Sequence, residues 1–249
     1  MFADEVTALI LAGGFGTRIQ GVLHDLPKPM APVNGKPFVE WIVRWLKKQG
    51  INKVVISTGY RSEILENHFA TQPVADVHIC CIRETEPLGT GGGIRFAAIQ
   101  SKVTPEYWLV LNGDSLIFTD LKAVFDSVEE SDGLIITRRV QDTSRYGTVM
   151  VDCDGIIESF AEKQDGIGLI NGGIYLMSHE LVKGFPDKVP LSVEKEVFPN
   201  LIAEGKKLKA HPTDAGFLDI GTPESLFQAE QFIAANMPQF DNSIEQPGS

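Results

Sequence analysis

The feature of this sequence that most restricts its fold is the regular alternation of short apolar runs with amphipathic segments over the first 140 residues. The apolar runs have the length and composition of strands, and the segments between them carry apolar residues at helical spacing. Parallel strands joined by helices need crossover connections, so the pattern predicts an α/β fold, a mostly parallel sheet flanked by helices. The predicted strands are 6–12, 53–58, 77–82, 108–111 and 133–140, and the predicted helices are 37–49, 62–69, 92–100 and 120–129.

The pattern changes after residue 140, where β-like pieces at 147–151, 156–160 and 169–177 follow one another without long helices. This change predicts a small mixed or antiparallel addition to the sheet. Two further helices, 193–204 and 223–235, are predicted around a strand at 208–212; Thr222 followed by Pro223 is typical of a helix start. We therefore predict one domain over residues 1–239 and a frayed polar tail at 240–249.

Composition and charge exclude several classes of protein. Of the 249 residues, 43% are hydrophobic and 22% charged, which is typical of a folded domain, and the net charge of -11 disfavours binding to nucleic acid. Cys80, Cys81 and Cys153 have no disulfide or metal-site spacing, and we predict that they are reduced core residues. The acidic N-terminus and the lack of long apolar runs predict a cytoplasmic protein with no signal peptide and no membrane contact.

A glycine cluster directly after the first strand predicts an anion site. Residues 13–18 read Gly-Gly-Phe-Gly-Thr-Arg, and glycines in this position let backbone N–H groups approach a phosphate. The spacing does not fit a dinucleotide fingerprint, because Ile19 stands where glycine or alanine is needed. A plain tight turn is the alternative. Lys28, held between prolines in an extended segment, joins Arg18 as a second cation for a triphosphate; its alternative is a solvated surface lysine.

Two aspartates are candidates for holding a metal ion. Asp114 follows the apolar run 108–111, so its carboxylate is expected at the carboxyl edge of the sheet, where open α/β folds bind ligands. Asp219 also follows a short apolar piece and precedes a helix start. Carboxylate ligands next to phosphates favour Mg²⁺. The alternative for each isolated aspartate is a role in a turn or helix cap.

Several ordered segments together resemble the sugar-1-phosphate nucleotidyltransferase family, also called sugar-nucleotide pyrophosphorylases. The resemblance extends from about residue 6 to about residue 230, and within the family it is strongest to guanylyltransferases acting on D-glycero-α-D-manno-heptose 1-phosphate. It implies a Rossmann-like, GT-A-like nucleotidyltransferase fold, with a nucleotide-binding half at about 1–140 and a sugar-phosphate-binding half at about 141–239. The segments that carry it are 11–18, 27–29, 86–92, 112–114, 162–163, 171–173 and 218–223.

The resemblance also implies a reaction and a set of site residues. The reaction transfers a nucleotidyl group from a nucleoside triphosphate to a sugar 1-phosphate and releases pyrophosphate, for surface polysaccharide or glycan synthesis. The implied catalytic residues are Arg18, Lys28, Asp114, Lys163 and Asp219, with Mg²⁺ held by Asp114 and Asp219. The implied nucleotide-binding residues are Leu11, Ala12, Gly13, Gly14, Gly16, Thr17, Arg18, Lys28, Glu84, Glu86, Gly89 and Thr90. The implied sugar-phosphate-binding residues are Gly147, Glu162, Lys163, Asn171 and Gly172.

A few residues near the predicted base and sugar sites bear on the choice of substrates. Glu84 and Glu86 precede residues 88–90, the stretch that faces the base in similar enzymes, and a carboxylate accepts hydrogen bonds from N1 and N2 of guanine, which favours GTP. Both glutamates could instead be solvated. Gln164 follows Lys163 where the family often has proline. A strand bulge is the alternative for residues 171–173.

Other functions stay open at this point. They are a uridylyl-, cytidylyl- or thymidylyltransferase for mannose, glucose or N-acetylmuramate 1-phosphate, and a non-catalytic subunit that binds sugar nucleotides. The expected partners are a nucleoside triphosphate and a sugar 1-phosphate, with no nucleic acid and no membrane, and a homo-oligomer is left open.

Overall fold

The computed structural model describes residues 2–14, 16, 19–23, 25–128, 131–143, 147–161 and 166–240. Its strands are β1 (Val6–Ala12), β2 (Pro32–Val33), β3 (Lys36–Pro37), β4 (Lys53–Thr58), β5 (His78–Arg83), β6 (Tyr107–Asn112), β7 (Ser115–Ile117), β8 (Gly133–Val140), β9 (Thr148–Val151), β10 (Ile157–Ala161), β11 (Gly168–Ser178), β12 (Leu208–Thr213) and β13 (Phe217–Asp219). Its α-helices are α1 (Phe2–Glu5), α2 (Gln20–Leu23), α3 (Phe38–Lys48), α4 (Ser62–Thr71), α5 (Gly89–Gln100), α6 (Leu121–Asp126), α7 (His179–Lys183), α8 (Phe198–Ala203) and α9 (Pro223–Ala235).

A nine-stranded sheet forms the centre of the fold. Its main path runs β10-β9-β11-β6-β1-β4-β5, and β8 and β12 extend it from β11. Strands β6, β1, β4 and β5 are parallel, as the alternating sequence pattern predicts. Strand β11 runs antiparallel to β6, β8 and β9, so the second half of the chain adds the mixed part of the sheet. The predicted fold class is confirmed.

Side chains alternate between two apolar cores on opposite faces of the sheet. On β1, Ile10 belongs to one core and Leu9 to the other; on β6, Leu109 and Trp108 divide in the same way. Helices α3, α4, α6 and α9 cover the first face, and α5, α7 and α8 cover the second. Strands buried on both faces explain why the sequence shows continuous apolar runs instead of alternation.

The order of the parallel strands creates a crevice beside β1. The chain goes from β1 outward to β4 and β5, and then returns to β6 on the opposite side of β1. Connections that leave two neighbouring strands in opposite directions open a gap at the carboxyl ends of these strands, where ligands bind in folds of this class. Gly13 follows β1 and Asp114 follows β6, so both lie at this gap.

Most predicted elements are present, with shifted ends. The bounds of β1, β4, β8 and α9 agree with the prediction. The helix expected from Gly92 begins at Gly89, whose φ of +77° suits glycine. The helix expected at 120–129 spans Leu121–Asp126, because Asp120 caps it by accepting hydrogen bonds from the backbone of Lys122 and Ala123. The helix expected at 193–204 is a π-helical turn, Val193–Val197, followed by α8.

Two sequence-based expectations are wrong. Phe240, placed in the frayed tail, is buried, with its ring 5.0 Å from that of Trp41 and 5.4 Å from that of Phe118; residues 241–249 lie outside the described part. Two of the three cysteines are not core residues, because Cys80 and Cys153 are exposed, whereas Cys81 is half-buried and packs against the first core. Cys80 and Cys81 lie on β5, at the end of the main strand path, where a small apolar residue need not be covered. Burial raises the pKa of the Cys81 thiol to about 12.

A buried carboxylate joins α3 to its surroundings and gives a testable prediction. Glu40 is 3% exposed; it accepts hydrogen bonds from Arg44 (2.8 Å) and bonds His68 (2.8 Å), and its oxygen lies 3.0 Å from Lys36 Nζ. Burial by itself raises the pKa of Glu40, but the bonds to Arg44, Lys36 and His68 outweigh it and the pKa is lowered. Stability that depends on the ionised carboxylate is therefore present above the ordinary pKa and lost as the pH falls through the lowered one.

We expect Glu40→Gln to lower the free energy of unfolding at pH 7 by about 3 kcal/mol, since it leaves the half-buried Arg44 and Lys36 without the buried carboxylate that pairs with them. The difference from wild type should shrink in denaturant titrations as the pH falls below the ordinary glutamate pKa of 4.5. Glu63→Gln on the exposed side of α4 is the control and should change little. A difference that is constant down to pH 3 would contradict the assignment.

Within the described residues, no helix combines the length and apolar character needed to cross a bilayer.

Candidate active site

A cavity of about 470 Å³ opens at the carboxyl ends of β1 and β6. It is formed by the glycine loop after β1, the segment around Lys28, the start of α5 and the loop after β6. Most of the residues predicted to bind the nucleotide line it. These are Leu11, Gly13, Gly14, Gly16, Lys28, Glu84, Gly89 and Thr90, together with Asp114.

The glycines after β1 differ in the space that the surrounding protein leaves for a side chain. A Cβ on Gly13 would lie 2.8 Å from Glu84 Oε1, and a Cβ on Gly16, whose φ is +59°, would lie 2.8 Å from Lys28 Cβ. Packing therefore requires glycine at Gly16, whereas a side chain at Gly13 would displace the carboxylate end of Glu84. At Gly14 a Cβ would meet no atom within 4 Å. Internal packing does not explain this residue, whereas the close approach of a ligand to the backbone would.

We predict that Gly14→Ala leaves the fold intact and weakens binding of the nucleotide. The added methyl group meets no protein atom, but it stands in the path of a phosphate approaching the loop. We expect a loss of nucleotide affinity of about tenfold, the cost of one displaced contact to a charged group. Isothermal titration with GTP measures the affinity and thermal unfolding measures stability. Gly21→Ala, which also has open space, is the control; equal GTP affinity in both variants would argue against a phosphate site at Gly14.

Lys28 lies between the two predicted metal-binding carboxylates. Its Nζ is 2.6 Å from Asp114 Oδ2 and 3.7 Å from Asp219 Oδ1, and its side chain is only 13% exposed. Pro27 is extended, as predicted, but Lys28–Met30 forms a 3₁₀ turn where the prolines predict an extended segment. Pro29 has no N–H to lose in this first turn, so the turn tolerates it. The turn directs the lysine to the carboxylates beside the glycine loop.

A short strand pairing brings Asp219 to Asp114, although 104 residues separate them in the sequence. Strand β13 pairs with β7 and places Asp219 opposite Ser115. The Ile220 N–H donates to the Asp114 carbonyl at 3.0 Å, and the Gly221 N–H donates to Asp219 Oδ1 at 2.7 Å. Burial raises the pKa of Asp219, and the negative charge of Asp114 adds to this, with Lys28 and Gly221 opposing. The ammonium group of Lys28 lies between these two carboxylates and offsets their mutual repulsion.

No cluster of three or more His, Cys, Asp or Glu side chains in the described part of the chain could hold a metal by itself. Two carboxylates do suit Mg²⁺, which usually takes one or two protein carboxylates and completes its shell with substrate oxygens and water. The Asp114 and Asp219 pair therefore fits a metal that binds together with a phosphate ligand.

The two glutamates predicted near the base have different environments. Glu84 lines the cavity, but Ser57 Oγ donates to its Oε1 at 2.7 Å and the Leu88 N–H donates to its Oε2 at 3.4 Å. Burial raises the pKa of Glu84, and these two bonds oppose the effect. Glu86 is exposed and does not line the cavity. The structure thus gives Glu84 a bracing role within the protein and does not bring Glu86 into the site.

The predicted sugar-binding residues lie on the mixed part of the sheet. The pairing of β11 with β8 shifts register between Asn171 and Tyr175, so a bulge or irregularity lies at residues 172–174, overlapping the segment for which a strand bulge was the alternative. A Cβ on Gly172 would lie 2.9 Å from the Ile136 carbonyl oxygen, which explains this glycine by packing. Gly147 is exposed just before β9. Neither these residues nor Ala12, which is buried, line the cavity.

Four predicted site residues, Thr17, Arg18, Glu162 and Lys163, lie outside the described residues. Sequence reasoning also missed residues that the structure places at the site. Ile19, Leu88 and Asn112 line the cavity, and Glu194 contacts Thr90 through a hydrogen bond of 3.0 Å. Leu88 and Asn112 stand within the segments that carry the resemblance, which was a usable signal. Glu194 gave none, because a glutamate in a helical segment is normally solvated.

Comparison with known proteins gives consistent matches over almost the whole chain. The family model described as nucleotidyl transferase matches residues 7–236. A D-glycero-alpha-D-manno-heptose 1-phosphate guanylyltransferase of Campylobacter jejuni is 40% identical over 88% of this chain and 96% of the relative. A protein of the same name from Aneurinibacillus thermoaerophilus is 36% identical over 90% of this chain and 96% of the relative. The crystal structure of HddC from Yersinia pseudotuberculosis complexed with GMP-PN has a TM-score of 0.81 and 34% identity, covering 90% of this chain and 98% of that one.

Proposed function

Because the chain belongs to the nucleotidyl transferase family, we propose that it transfers a guanylyl group from GTP to D-glycero-α-D-manno-heptose 1-phosphate and releases pyrophosphate. The observation that carries the proposal is the cavity at the β1–β6 crevice, where the glycine loop, Lys28 and two carboxylates converge. The names of the two guanylyltransferases that match nearly their full length support the choice of base and sugar.

The proposed reaction is an in-line displacement at the α-phosphorus of GTP. A phosphate oxygen of the sugar 1-phosphate forms a bond to this phosphorus, and the bond to the oxygen that bridges to the β-phosphorus breaks. Pyrophosphate leaves with the electron pair, so no protein nucleophile is required. The work of the protein is to position the two substrates and to neutralise charge.

Different residues of this chain position the substrates and neutralise their charge. Backbone N–H groups of the glycine loop would donate to the phosphates of GTP, and the ammonium group of Lys28, which lies beside Asp114 and Asp219, would offset the charge of the phosphates. Asp114 and Asp219 would hold Mg²⁺, which when bound polarises a phosphoryl oxygen and screens the charge of the phosphates. By the family resemblance, Arg18 assists at the triphosphate and Lys163 binds the acceptor phosphate. The start of α5 closes the cavity on the side assigned to the base.

We place the reaction in the cytoplasm, where GTP is available, and its product in the synthesis of surface polysaccharide such as capsule or lipopolysaccharide. A nucleotide-activated heptose is the form that a glycosyltransferase consumes.

A substrate panel tests the proposal. Pyrophosphate release is measured for GTP, UTP, CTP and dTTP, each with D-glycero-α-D-manno-heptose, mannose, glucose and N-acetylmuramate 1-phosphates, and mass spectrometry identifies the nucleotide sugar. We expect the highest kcat/KM for GTP with the heptose phosphate, and loss of activity with EDTA. Faster turnover with another base or sugar would replace the substrate assignment. Lack of turnover with every pair, in protein that binds GTP, would favour a non-catalytic subunit.

A further inference from the structure

Glu194 connects two parts of the site that come from distant segments of the chain. Its Oε2 accepts hydrogen bonds from Thr90 Oγ1 at 3.0 Å and from Ser192 Oγ at 3.2 Å. Its Oε1 accepts a hydrogen bond from the Tyr175 hydroxyl at 3.3 Å. Thr90 lines the cavity at the start of α5, on the nucleotide side, whereas Tyr175 lies on β11, on the predicted sugar side.

The direction of the bonds to Oε2 is fixed by the backbone. Thr90 Oγ1 accepts from the Val193 N–H at 2.8 Å, and Ser192 Oγ accepts from the Lys195 N–H at 3.2 Å. A hydroxyl that accepts one backbone bond directs its own hydrogen elsewhere, and here both hydrogens go to Glu194. The position therefore needs an acceptor that takes two donors on one oxygen, which a carboxylate provides.

The bond to Oε1 continues a chain that ends at a predicted sugar-binding residue. The Tyr175 hydroxyl accepts from Asn171 Nδ2 at 2.9 Å, and Asn171 Oδ1 accepts from the Gly173 N–H at 2.9 Å. With both ends of its amide bonded, Asn171 has one fixed orientation. Tyr175 is fully buried, and burial followed by the charge of Glu194 raises the pKa of its hydroxyl well above the ordinary value, so it stays a neutral donor.

All three hydroxyls thus donate to Glu194, and glutamine cannot replace it without a mismatch. A glutamine has one acceptor oxygen and one donor nitrogen. Either the nitrogen faces the buried Tyr175 hydroxyl, or it faces the partly buried hydroxyls of Thr90 and Ser192, and in each case a hydroxyl donor loses its acceptor. Loss of a bond to a charged group in such a network costs more than loss of an exposed one.

We propose that Glu194 is a positioning residue which holds Thr90 on the nucleotide side and, through Tyr175, Asn171 on the sugar side in one arrangement. The sugar part of this inference rests on the proposed function, in which Asn171 lies at the sugar phosphate. The Glu194 carboxylate therefore affects the binding of both substrates, although it does not contact the α-phosphorus at which the reaction occurs.

The test compares Glu194→Gln, Tyr175→Phe and the matched control Glu196→Gln. Glu196 lies in the same helical turn, but it bonds Lys188 and only the backbone N–H of Ser192, and it has no hydrogen bond to Thr90 or Tyr175. Isothermal titration with GTP alone gives the nucleotide Kd, and pyrophosphate release gives the KM of the heptose phosphate. We expect Glu194→Gln to weaken both by about ten- to hundredfold, with a smaller change in kcat. Tyr175→Phe should raise the sugar phosphate KM and leave the Kd of GTP within about twofold.

The double variant Glu194→Gln/Tyr175→Phe shows whether the two residues act through one hydrogen-bond network or independently. Tyr175→Phe added to Glu194→Gln should raise the sugar phosphate KM no further, because Glu194→Gln has already removed the Tyr175–Glu194 connection. Ser192→Ala removes one donor to Glu194 and keeps the charge of Glu194. It should weaken the binding of both substrates to a smaller extent, about threefold. This variant serves as the test if thermal unfolding shows that Glu194→Gln does not fold.

Three results would overturn the inference: equal effects of Glu194→Gln and Glu196→Gln, additive effects in the double variant, or unchanged binding in Ser192→Ala. The proposed function fails in a distinct way, as GTP binding without pyrophosphate release in the wild type. In that event the Kd of GTP in Glu194→Gln still decides whether Glu194 holds the nucleotide side.

Discussion

Asp114→Asn is expected to lower kcat/KM for pyrophosphate release by about 10³-fold or more at saturating Mg²⁺, which is a loss of about 4 kcal/mol of transition-state stabilisation. The side chain keeps its size but loses the charge that would hold the cation, and one of the two facing carboxylates disappears. The Asp114 carboxylate also bonds Lys28 at 2.6 Å, so the lysine is left with Asp219 at 3.7 Å.

The stability of this variant should stay close to that of wild type. Asp114 is partly exposed at the edge of the cavity, and its removal also ends the repulsion that helps raise the pKa of Asp219. Asp187→Asn is the matched control, because Asp187 is 85% exposed and pairs with Arg95 away from the cavity. Thermal unfolding checks the fold of both variants. Near-normal turnover of Asp114→Asn would mean that Asp114 does not hold the metal.

Lys28→Met should lower kcat/KM by about 10²- to 10³-fold, the usual effect of removing one group that stabilises developing negative charge. Methionine retains the apolar stem that lies over Gly16 but removes the ammonium group between Asp114 and Asp219. Without this cation the carboxylates face each other, so the melting temperature should fall in the absence of metal.

A metal titration distinguishes charge neutralisation from simple packing at Lys28. If the site holds Mg²⁺, adding the ion should raise the melting temperature of Lys28→Met more than that of wild type, because the ion replaces the missing positive charge. Lys122→Met, at an exposed position that pairs with Asp126 on α6, provides the control. Equal responses of the two variants to Mg²⁺, or unimpaired catalysis in Lys28→Met, would contradict the role given to Lys28.

The central sheet and the glycine-loop side of the cavity were readable from the sequence because their signals are local. Buried parallel strands leave continuous apolar runs, and the glycine loop follows β1 without a break, so composition and spacing identify both. Asp114 was placed correctly at the carboxyl edge because it follows one of these runs. The ends of α5 and α6 shifted by a few residues, because Gly89 and Asp120 act through φ and capping, which periodicity does not register.

What only the tertiary structure decided are the contacts between segments that lie far apart in the sequence. Strands β7 and β13 have three residues each, too few to show a period, yet their pairing puts Asp219 next to Asp114. Glu194 reaches Thr90 and Tyr175 only after two halves of the chain pack together. The packing of Phe240 on Trp41 likewise depends on the fold bringing the segment after α9 back to α3. Local patterns in a sequence encode burial and backbone geometry, whereas the meeting of two charged or aromatic side chains depends on the whole path between them.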